Sequence, residues 1–251
     1  MHVDLNADVG EDVGDDAALM PYLSSVNVAC GYHAGNAAVM RSAIALAKRH
    51  HVAVGAHPGF QDPQSFGRRE LVMTAAAVEA LVSRQIDTLA EAAAETGVRL
   101  THVKPHGALY NMAARDAALA AAIARSVASI DRSLMLFGLA GSRLIDEGRN
   151  AGLRTVSEVF ADRGYRADGS LVQRSEPGAV LDDSDAVVAR ALAMVRNGAV
   201  TAVDGTRVPL EVDTICIHGD TPGAVECARD LRAALEGAGI DIAAPASGDS
   251  R

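Results

Sequence analysis

The sequence predicts a single parallel β/α barrel of seven strands, distorted or incomplete relative to an eightfold barrel. Seven short apolar runs along the 251 residues each end in a polar or glycine-containing cluster. Most of these runs are followed by a helix-like stretch, and this alternation is typical of a parallel sheet. In such folds the loops after the strand C-termini form the active site. Because no linker or composition shift divides the chain, we expect one domain at residues 1–243 and a flexible tail at residues 244–251.

The N-terminal part is predicted to contain three strands, at residues 3–5, 25–29 and 51–56. A helix is expected between the second and third strands, from Asn36, which is suited to cap it, to residue 50. Apolar residues recur at helical spacing along this segment and make one face of the helix. They are Val39, Ala43, Ile44 and Ala47.

The central part alternates strands and helices in the same way. Thr74 is suited to cap a long helix, and Gly97 is a plausible C′ residue after it. An alanine-rich stretch indicates a second helix, and Gly152 is suited to stop a third. The strands are predicted at residues 100–104, 133–139 and 154–160, and the helices at residues 74–96, 116–128 and 142–151.

The C-terminal part completes the barrel. A helix is predicted at residues 182–197, because acidic residues at its start suit the helix dipole and Gly198 follows its end. Asp204-Gly205 indicates a β-hairpin within residues 199–210. The seventh strand is expected at residues 213–218, and Thr221-Pro222 is a cap and first-turn signal for a last helix to about residue 238.

Composition excludes several classes of protein. The chain has 23 Lys and Arg against 32 Asp and Glu and no basic tract, so it gains nothing from counterion release on nucleic acid. Its three cysteines, Cys30, Cys216 and Cys227, have no metal-binding spacing and indicate reduced thiols. With no signal-peptide pattern and no long apolar run, we expect a cytoplasmic protein that does not bind a membrane.

Alternating polar residues mark the first strand, namely Asp4, Asn6 and Asp8. At a period of two, their side chains share one side of the strand. A barrel interior is normally apolar, so polar groups there are expensive unless they are paired or used. We predict a site role for Asp8, which is nearest the rim. The alternative is that Asp4 and Asn6 satisfy backbone groups of loops.

The second and third clusters contain histidines. His33 follows the second strand, and His57 ends the third. Histidine binds metals and transfers protons near neutral pH, although a helix cap is the alternative for His33. Cys30 is predicted to be a small packed residue, because nothing in the sequence pairs it with a base.

Two further clusters predict proton transfer and charge stabilisation. Lys104 and His106 are two residues apart at a strand end, which suits anion binding and proton transfer. His218 and Asp220 precede the last predicted helix, and a histidine with a nearby carboxylate is an oriented acid/base unit.

Three arginines are candidates for binding a carboxylate or phosphate, because a guanidinium binds both in a bidentate manner. Arg68 and Arg69 lie in the long loop at residues 58–70, and Arg163 follows the sixth strand. For Arg163 the alternative is a salt bridge to Asp162 or Glu158.

The candidate residues divide into two groups. The candidate catalytic residues are Asp8, Lys104, His106, His218 and Asp220, and the candidate substrate-binding residues are Asn6, Asn27, His33, His57, Arg68, Arg69, Asp162 and Arg163. Converging acids and imidazoles are compatible with a divalent metal, but no HxH or HExxH motif is present, so no ligand set is assigned. The sequence contains no recognisable motif for a nucleotide-binding loop.

These clusters resemble the LamB/YcsF family, whose members are described as one component of the ATP-hydrolysing 5-oxoprolinase. The resemblance covers nearly the whole chain, with several long motifs in the right order. The motifs are Asp4-Leu-Asn-Ala-Asp-Val-Gly-Glu11, Asn27-Val-Ala-Cys-Gly-Tyr-His-Ala-Gly35, Gly55-Ala-His-Pro58, Val103-Lys-Pro-His-Gly-Ala-Leu-Tyr-Asn111, Glu158-Val-Phe-Ala-Asp-Arg-Gly-Tyr165 and Ile217-His-Gly-Asp220. One departure is Asn36, where an Asp is usual.

The resemblance implies a glycoside hydrolase/deacetylase-like barrel and ATP-dependent opening of 5-oxo-L-proline (pyroglutamate) to L-glutamate. It implies that the chain acts with 5-oxoprolinase subunits B and C, and it leaves self-association open. ATP with Mg²⁺ is the expected cofactor, and one of these partners is a candidate for binding it because this chain lacks a phosphate loop.

The same resemblance suggests roles for the candidate residues. His106 or His218, oriented by Asp220 or Asp8, would deprotonate water, and Lys104 would stabilise developing oxyanion or phosphate charge. The candidate arginines would hold the substrate carboxylate.

Two alternatives remain open. One is a metal-dependent deacetylase or amidohydrolase acting on a small N-acyl or carbohydrate substrate, with Asp8, His33 and His57 as metal ligands. The other is a non-catalytic subunit that binds a lactam or glutamate and delivers it to a partner.

Overall fold

In the computed structural model, which describes residues 1–219 and 223–246, parallel strands form a closed barrel. The strands are β1 His2–Val9, β2 Ser25–Ala29, β3 Ala53–His57, β4 Leu100–Val103, β5 Met135–Leu139, β6 Thr155–Phe160, β7 Ala199–Thr201, β8 Arg207–Pro209, β9 Thr214–Ile217 and β10 Asp241–Ile242. β1 to β6 are neighbours in sequence order, β9 pairs with β6, and β9 pairs again with β1. This last pairing closes seven strands into a ring and confirms the predicted seven-stranded β/α barrel.

Helices surround this barrel. They are α1 Asp16–Leu19, α2 Ala37–Arg49, α3 Ala75–Glu95, α4 Gly107–Arg115, α5 Ala117–Ile130, α6 Arg143–Asn150, α7 Ser184–Asn197 and α8 Ala224–Gly237. The predicted caps at Asn36 and Thr74 are confirmed, because their side-chain oxygens accept backbone N–H groups in the first turns of α2 and α3. α4 was not predicted, because it starts immediately after the β4 cluster. The proposed Thr221-Pro222 start lies outside the described residues.

The remaining strands lie outside the barrel ring. β7 and β8 pair in an antiparallel manner, as the Asp204-Gly205 turn predicted. β10 pairs in parallel with the first residues of β1. The predicted flexible tail falls mostly beyond the described residues and stays a prediction. In the described part of the chain, no helix has the length and apolar character needed to cross a membrane.

Small aliphatic side chains let the outer helices pack closely. α3 buries Val78, Val82, Ile86 and Leu89, and α5 buries alanines on its packed face. Burying each larger aliphatic side chain stabilises the fold by roughly 1.5–3 kcal/mol. The helix layer therefore supports a barrel that contains few aromatic residues.

The barrel interior contains a connected polar network. Asn6 donates to Glu158 at 2.9 Å and to Thr214 at 2.8 Å, while Thr214 donates to Asp4 at 2.6 Å. Asp4 also accepts hydrogen bonds from serine hydroxyls, so side chains, and not loop backbone groups, satisfy its carboxylate. Burial raises the pKa of Asp4 to about 6 against these hydrogen bonds. The network connects the middle of the barrel to the rim.

Gly55 leaves space for the side chain of His102 in the barrel interior. His102 Nε2 donates to Asn27 Oδ1 at 2.8 Å, and burial lowers the pKa of His102 to about 3, so the ring is neutral. A Cβ atom at Gly55 would lie 2.2 Å from that ring. β3 therefore carries glycine where the neighbouring strand projects an imidazole inward.

Candidate active site

A pocket of about 650 Å³ lies at the carboxyl ends of the barrel strands. Its walls come from loops after β1, β3, β4, β5, β6 and β9, as expected for this fold. Acidic and basic side chains line it. They include Asp8, Glu11, His57, Arg68, Lys104, His106, Arg163, Arg166, Arg174 and His218.

Glu11 lies at the centre of three histidines on one side of the pocket. Its Oε1 is 3.1 Å from His33 Nε2, 3.2 Å from His106 Nδ1 and 3.7 Å from His57 Nε2. All four side chains are buried. Burial by itself raises the pKa of Glu11, but its hydrogen-bonding contacts with His106 and His33 outweigh burial and lower the pKa to about 2. Glu11 is therefore a carboxylate at neutral pH.

Backbone carbonyls orient two of these rings. His57 Nδ1 donates to Lys104 O at 2.8 Å, and His106 Nε2 donates to Phe66 O at 2.8 Å. The opposite nitrogens, His57 Nε2 and His106 Nδ1, face each other at 3.0 Å. Because a carbonyl only accepts hydrogen bonds, these contacts direct both inner nitrogens toward Glu11.

Glycines make room for the histidines. The rings of His33 and His106 stack with centroids 3.7 Å apart. A Cβ at Gly59 would lie 2.6 Å from His33 Nδ1, and a Cβ at Gly67 would lie 2.8 Å from His33 Cβ. Burial lowers the pKa of His33 to about 4, so its ring is neutral. The loop after β3 thus packs backbone directly against the cluster.

Asp8 adjoins the cluster and is 24% exposed to the pocket. Its Oδ2 is 3.3 Å from His57 Nε2, and its Oδ1 accepts hydrogen bonds from Lys104 and Asn27. Burial by itself would raise the pKa of Asp8, but His57 and Lys104 hold it well below its usual range. Asp8 is thus an ionised carboxylate whose Oδ1 is fixed by hydrogen bonds and whose Oδ2 faces His57. Burial by itself would lower the pKa of His57, but Asp8 and Glu11 raise it.

Lys104 lies beneath Asp8. Its ammonium is 2.8 Å from Glu158, 3.0 Å from Asp8 and 3.2 Å from Asn6. Burial opposes its charge, but Asp8 and neighbouring groups raise its pKa well above the usual value. The three ammonium protons are directed at acceptors inside the barrel. The geometry therefore favours a role in holding Asp8 over the predicted contact with an oxyanion or phosphate.

His218, one member of another acid/base pair, lines the same pocket, whereas its partner Asp162 is not among the lining residues. His218 Nδ1 donates to Asp162 Oδ2 at 2.6 Å, and the imidazole stacks on Phe160. The predicted orienting acid, Asp220, lies outside the described residues. The structure pairs His218 with Asp162, which was predicted to be a substrate-binding residue and was not assigned to His218. Burial by itself raises the pKa of Asp162, but His218 beside it lowers the pKa.

The predicted arginines occupy different positions. Arg163 is buried and donates to the carbonyls of Ala179 and Val172, and no ion pair joins it to Asp162 or Glu158. This arrangement contradicts the salt-bridge alternative.

The other two arginines lie in the loop after β3. Arg68 lines the pocket and lies over the Phe66 ring, with its guanidinium carbon 5.0 Å from the ring centroid. Arg69 pairs with Asp62 at 3.4 Å and is not among the pocket-lining residues, which disfavours its predicted substrate contact.

Three more predicted substrate-binding residues lie behind the pocket wall. Asn6 and Asn27 are fully buried in the barrel network, and His33 is covered by the loop after β3. None of the three lines the pocket, so a direct substrate contact is not supported for them. Glu11, which was not predicted as a site residue, connects His33 to the pocket. Its only sequence signal was its position at the end of the first polar cluster.

The family model for LamB/YcsF proteins matches residues 3–250. The chain therefore belongs to the LamB/YcsF family. This result confirms the family that the sequence motifs indicated. A similar solved structure is the lactam utilization protein from Thermus thermophilus, which is 46% identical. The match covers 98% of this chain and 100% of that protein, with a TM-score of 0.92.

More distant solved structures share the fold of this LamB/YcsF chain. One is a putative cellobiose-phosphate cleavage protein from Enterococcus faecalis, with 14% identity, a TM-score of 0.58 and coverage of 96% of each chain. Another is a family 4 carbohydrate esterase from Streptomyces lividans, with 14% identity, a TM-score of 0.51 and coverage of 98% of this chain and 93% of that chain. At these identities the likeness concerns the barrel fold alone.

Proposed function

We propose that this chain is the subunit of an ATP-dependent 5-oxoprolinase that opens the lactam ring of 5-oxo-L-proline to L-glutamate. The observation that carries the proposal is one pocket lined by both Asp8 and His218, in which Asp162 orients His218 from outside the lining. The 46% identical relative, a lactam utilization protein, supports a cyclic amide as substrate.

The chemistry requires activation, because a five-membered lactam is an unstrained amide and a poor electrophile at neutral pH. In the proposed reaction ATP phosphorylates the lactam oxygen, and water adds to the ring carbon. The carbon–nitrogen bond breaks, the amine takes up a proton, and an acyl phosphate forms. A second water then releases phosphate and leaves L-glutamate and ADP.

We assign proton transfer to His218. Its Nδ1 donates to Asp162, so the neutral ring carries its lone pair on Nε2. In the described part of the chain, Nε2 has no hydrogen-bond partner, whereas both ring nitrogens of His106 are engaged. His218 accepts the proton of the attacking water and returns it to the ring nitrogen as that nitrogen leaves.

Anion binding is assigned to the arginines that line the pocket. Arg68 and Arg163 both line it, and the positive charge of Arg68 contributes to lowering the pKa of Arg163, after burial and Arg174. Two cations on one wall suit the carboxylate of 5-oxoproline. Because the sequence has no phosphate loop, ATP binding is assigned to subunits B and C, with Mg²⁺ accompanying the nucleotide.

The test combines the chain with candidate subunits B and C, 5-oxoproline, ATP and Mg²⁺, and measures glutamate and ADP. We expect both products from the full complex and about a 100-fold or larger fall in glutamate formation for His218→Gln. His50→Gln, a change of histidine at the end of α2, is the matched control and should retain activity. Glutamate formed without ATP and partners would contradict the proposal, and so would its absence from the full complex.

A second candidate function is hydrolysis of a small N-acyl compound without ATP. The convergence of Glu11 with His33, His57 and His106 favours it in its metal-dependent form, because such a cluster is suited to hold a divalent cation, which would activate water. Acetate release from N-acetylated amino acids and sugars by the isolated chain distinguishes this candidate from lactam opening.

A further inference from the structure

We propose that Glu11, His33, His57 and His106 form a binding site for one divalent transition cation of the zinc type. One ligand atom from each side chain lies within 4.8 Å of all the others. The inference goes beyond the proposed ring opening, because it concerns a site that the lactam reaction does not require.

The spacing of the ligand atoms matches a tetrahedral cation. With metal–ligand bonds of about 2.0–2.1 Å, the ligand atoms of a tetrahedral zinc site are about 3.3 Å apart. Glu11 Oε1 is 3.1, 3.2 and 3.7 Å from the inner nitrogens of His33, His106 and His57. The inner nitrogens of His57 and His106 are 3.0 Å apart. These four of the six distances bracket the tetrahedral value, and the two that remain, from His33 to His57 and to His106, lie within 4.8 Å.

The hydrogen bonds of the outer nitrogens also point to a cation. His57 and His106 each donate from one nitrogen to a backbone carbonyl, so in the neutral rings both inner nitrogens carry lone pairs. Two lone pairs facing each other at 3.0 Å repel unless a proton or a cation lies between them. Outer N–H groups that donate to carbonyls are the usual support of metal-binding histidines.

The ligand types select among cations. Three imidazoles and one carboxylate suit Zn²⁺ and its first-row neighbours, whereas Mg²⁺ and Ca²⁺ prefer oxygen ligands. Glu11, His57 and His106 line the pocket, which provides a path for the ion. A bound cation of this type would supply a Lewis acid beside Asp8.

The ligand set differs from the one considered from sequence. Asp8 was a candidate ligand with His33 and His57. In the structure Asp8 Oδ1 is engaged by Lys104 and Asn27, and Asp8 is not part of the four-residue group. Glu11 takes its place.

Equilibrium dialysis tests the site on the whole isolated chain. After removal of metal with a chelator, the chain is dialysed against ZnCl₂, and bound zinc is measured by plasma mass spectrometry. We expect about one zinc per chain, and at least about a 100-fold weaker affinity for Glu11→Gln and His57→Ala. His218→Gln is the matched control from the same pocket and should keep the wild-type stoichiometry.

Cobalt binding provides a measurement that needs no variant. Co²⁺ added to the metal-free wild-type chain should produce the intense visible absorption of tetrahedral coordination, which excess Zn²⁺ removes and excess Mg²⁺ leaves unchanged. Circular dichroism of each variant confirms its fold. Wild-type stoichiometry in both ligand variants, or six-coordinate cobalt spectra, would overturn the inference. Because no substrate, ATP or partner is present, this outcome is separate from that of the ring-opening assay.

Discussion

Replacing Lys104 by methionine tests whether this ammonium holds the barrel network together. Lys104 is 3% exposed and contacts two carboxylates, Glu158 at 2.8 Å and Asp8 at 3.0 Å. Methionine has a similar length and fills much of the same space, so the substitution mainly removes charge. It leaves Glu158 fully buried without its cation, although Tyr110 still donates to it.

The expected loss is large because one member of a buried charge network disappears. Breaking a buried ion pair by removing one partner destabilises a protein by about 3–5 kcal/mol. If m is on the order of 3 kcal/mol/M, the urea midpoint falls by about 1–1.7 M. The double change Lys104→Met with Glu158→Gln removes the uncompensated charge and should recover part of this loss.

Urea unfolding followed by far-ultraviolet circular dichroism measures the effect, since the chain has no tryptophan for fluorescence. The other lysine, Lys48, is exposed and donates to the carbonyl of Thr96, which makes Lys48→Met the matched control. It should change the free energy of unfolding by less than about 1 kcal/mol. The reasoning fails if Lys104→Met is as mild as the control, or if the double variant is less stable than the single one.

Three further predictions concern packing, pH and proton transfer. Gly55→Ala should destabilise the fold by about 1–3 kcal/mol or more in urea unfolding, because the added Cβ would lie 2.2 Å from the His102 ring. Gly237→Ala is the control and should be neutral or stabilising, because a Cβ added there has no atom within 4 Å. The pKa of Asp4 is raised from 3.8 to about 6, so this carboxyl group binds its proton more tightly in the folded than in the unfolded protein. As pH rises from 4 to 7, the free energy of unfolding of the wild type should therefore fall by up to about 3 kcal/mol relative to Asp4→Asn, and equal pH profiles would contradict this. Asp162→Asn should lower kcat for glutamate formation by about 100-fold with KM little changed, and a change in KM alone would contradict the assigned pair.

Local signals in the sequence were sufficient for most of the fold. Asn36 and Thr74 cap helices through their own side chains, and Asp204-Gly205 turns a hairpin, so neighbouring residues decide these features. α4 was missed because a helix that begins directly after a polar strand end has no separate start signal. Its first residue, Gly107, has a positive φ of 54°.

The sequence alone determined which polar residues lie at the strand ends, since a residue just after an apolar run must lie at the rim. Asp8, His57 and His106 were placed there correctly. Their partners were decided only by tertiary structure. Whether Glu11 lies among the histidines depends on how the loops after β1 and β3 pack together.

The same limit applies to the acid/base pair and to the two histidines His102 and His106. Asp162 and His218 are 56 residues apart and meet because β9 pairs with β6. His102 and His106 are four residues apart, yet one lies inside the barrel and the other lies at the rim. Sequence spacing specifies the end of the barrel that a side chain approaches, whereas strand order, register and ring closure determine the distance between side chains and hence their roles.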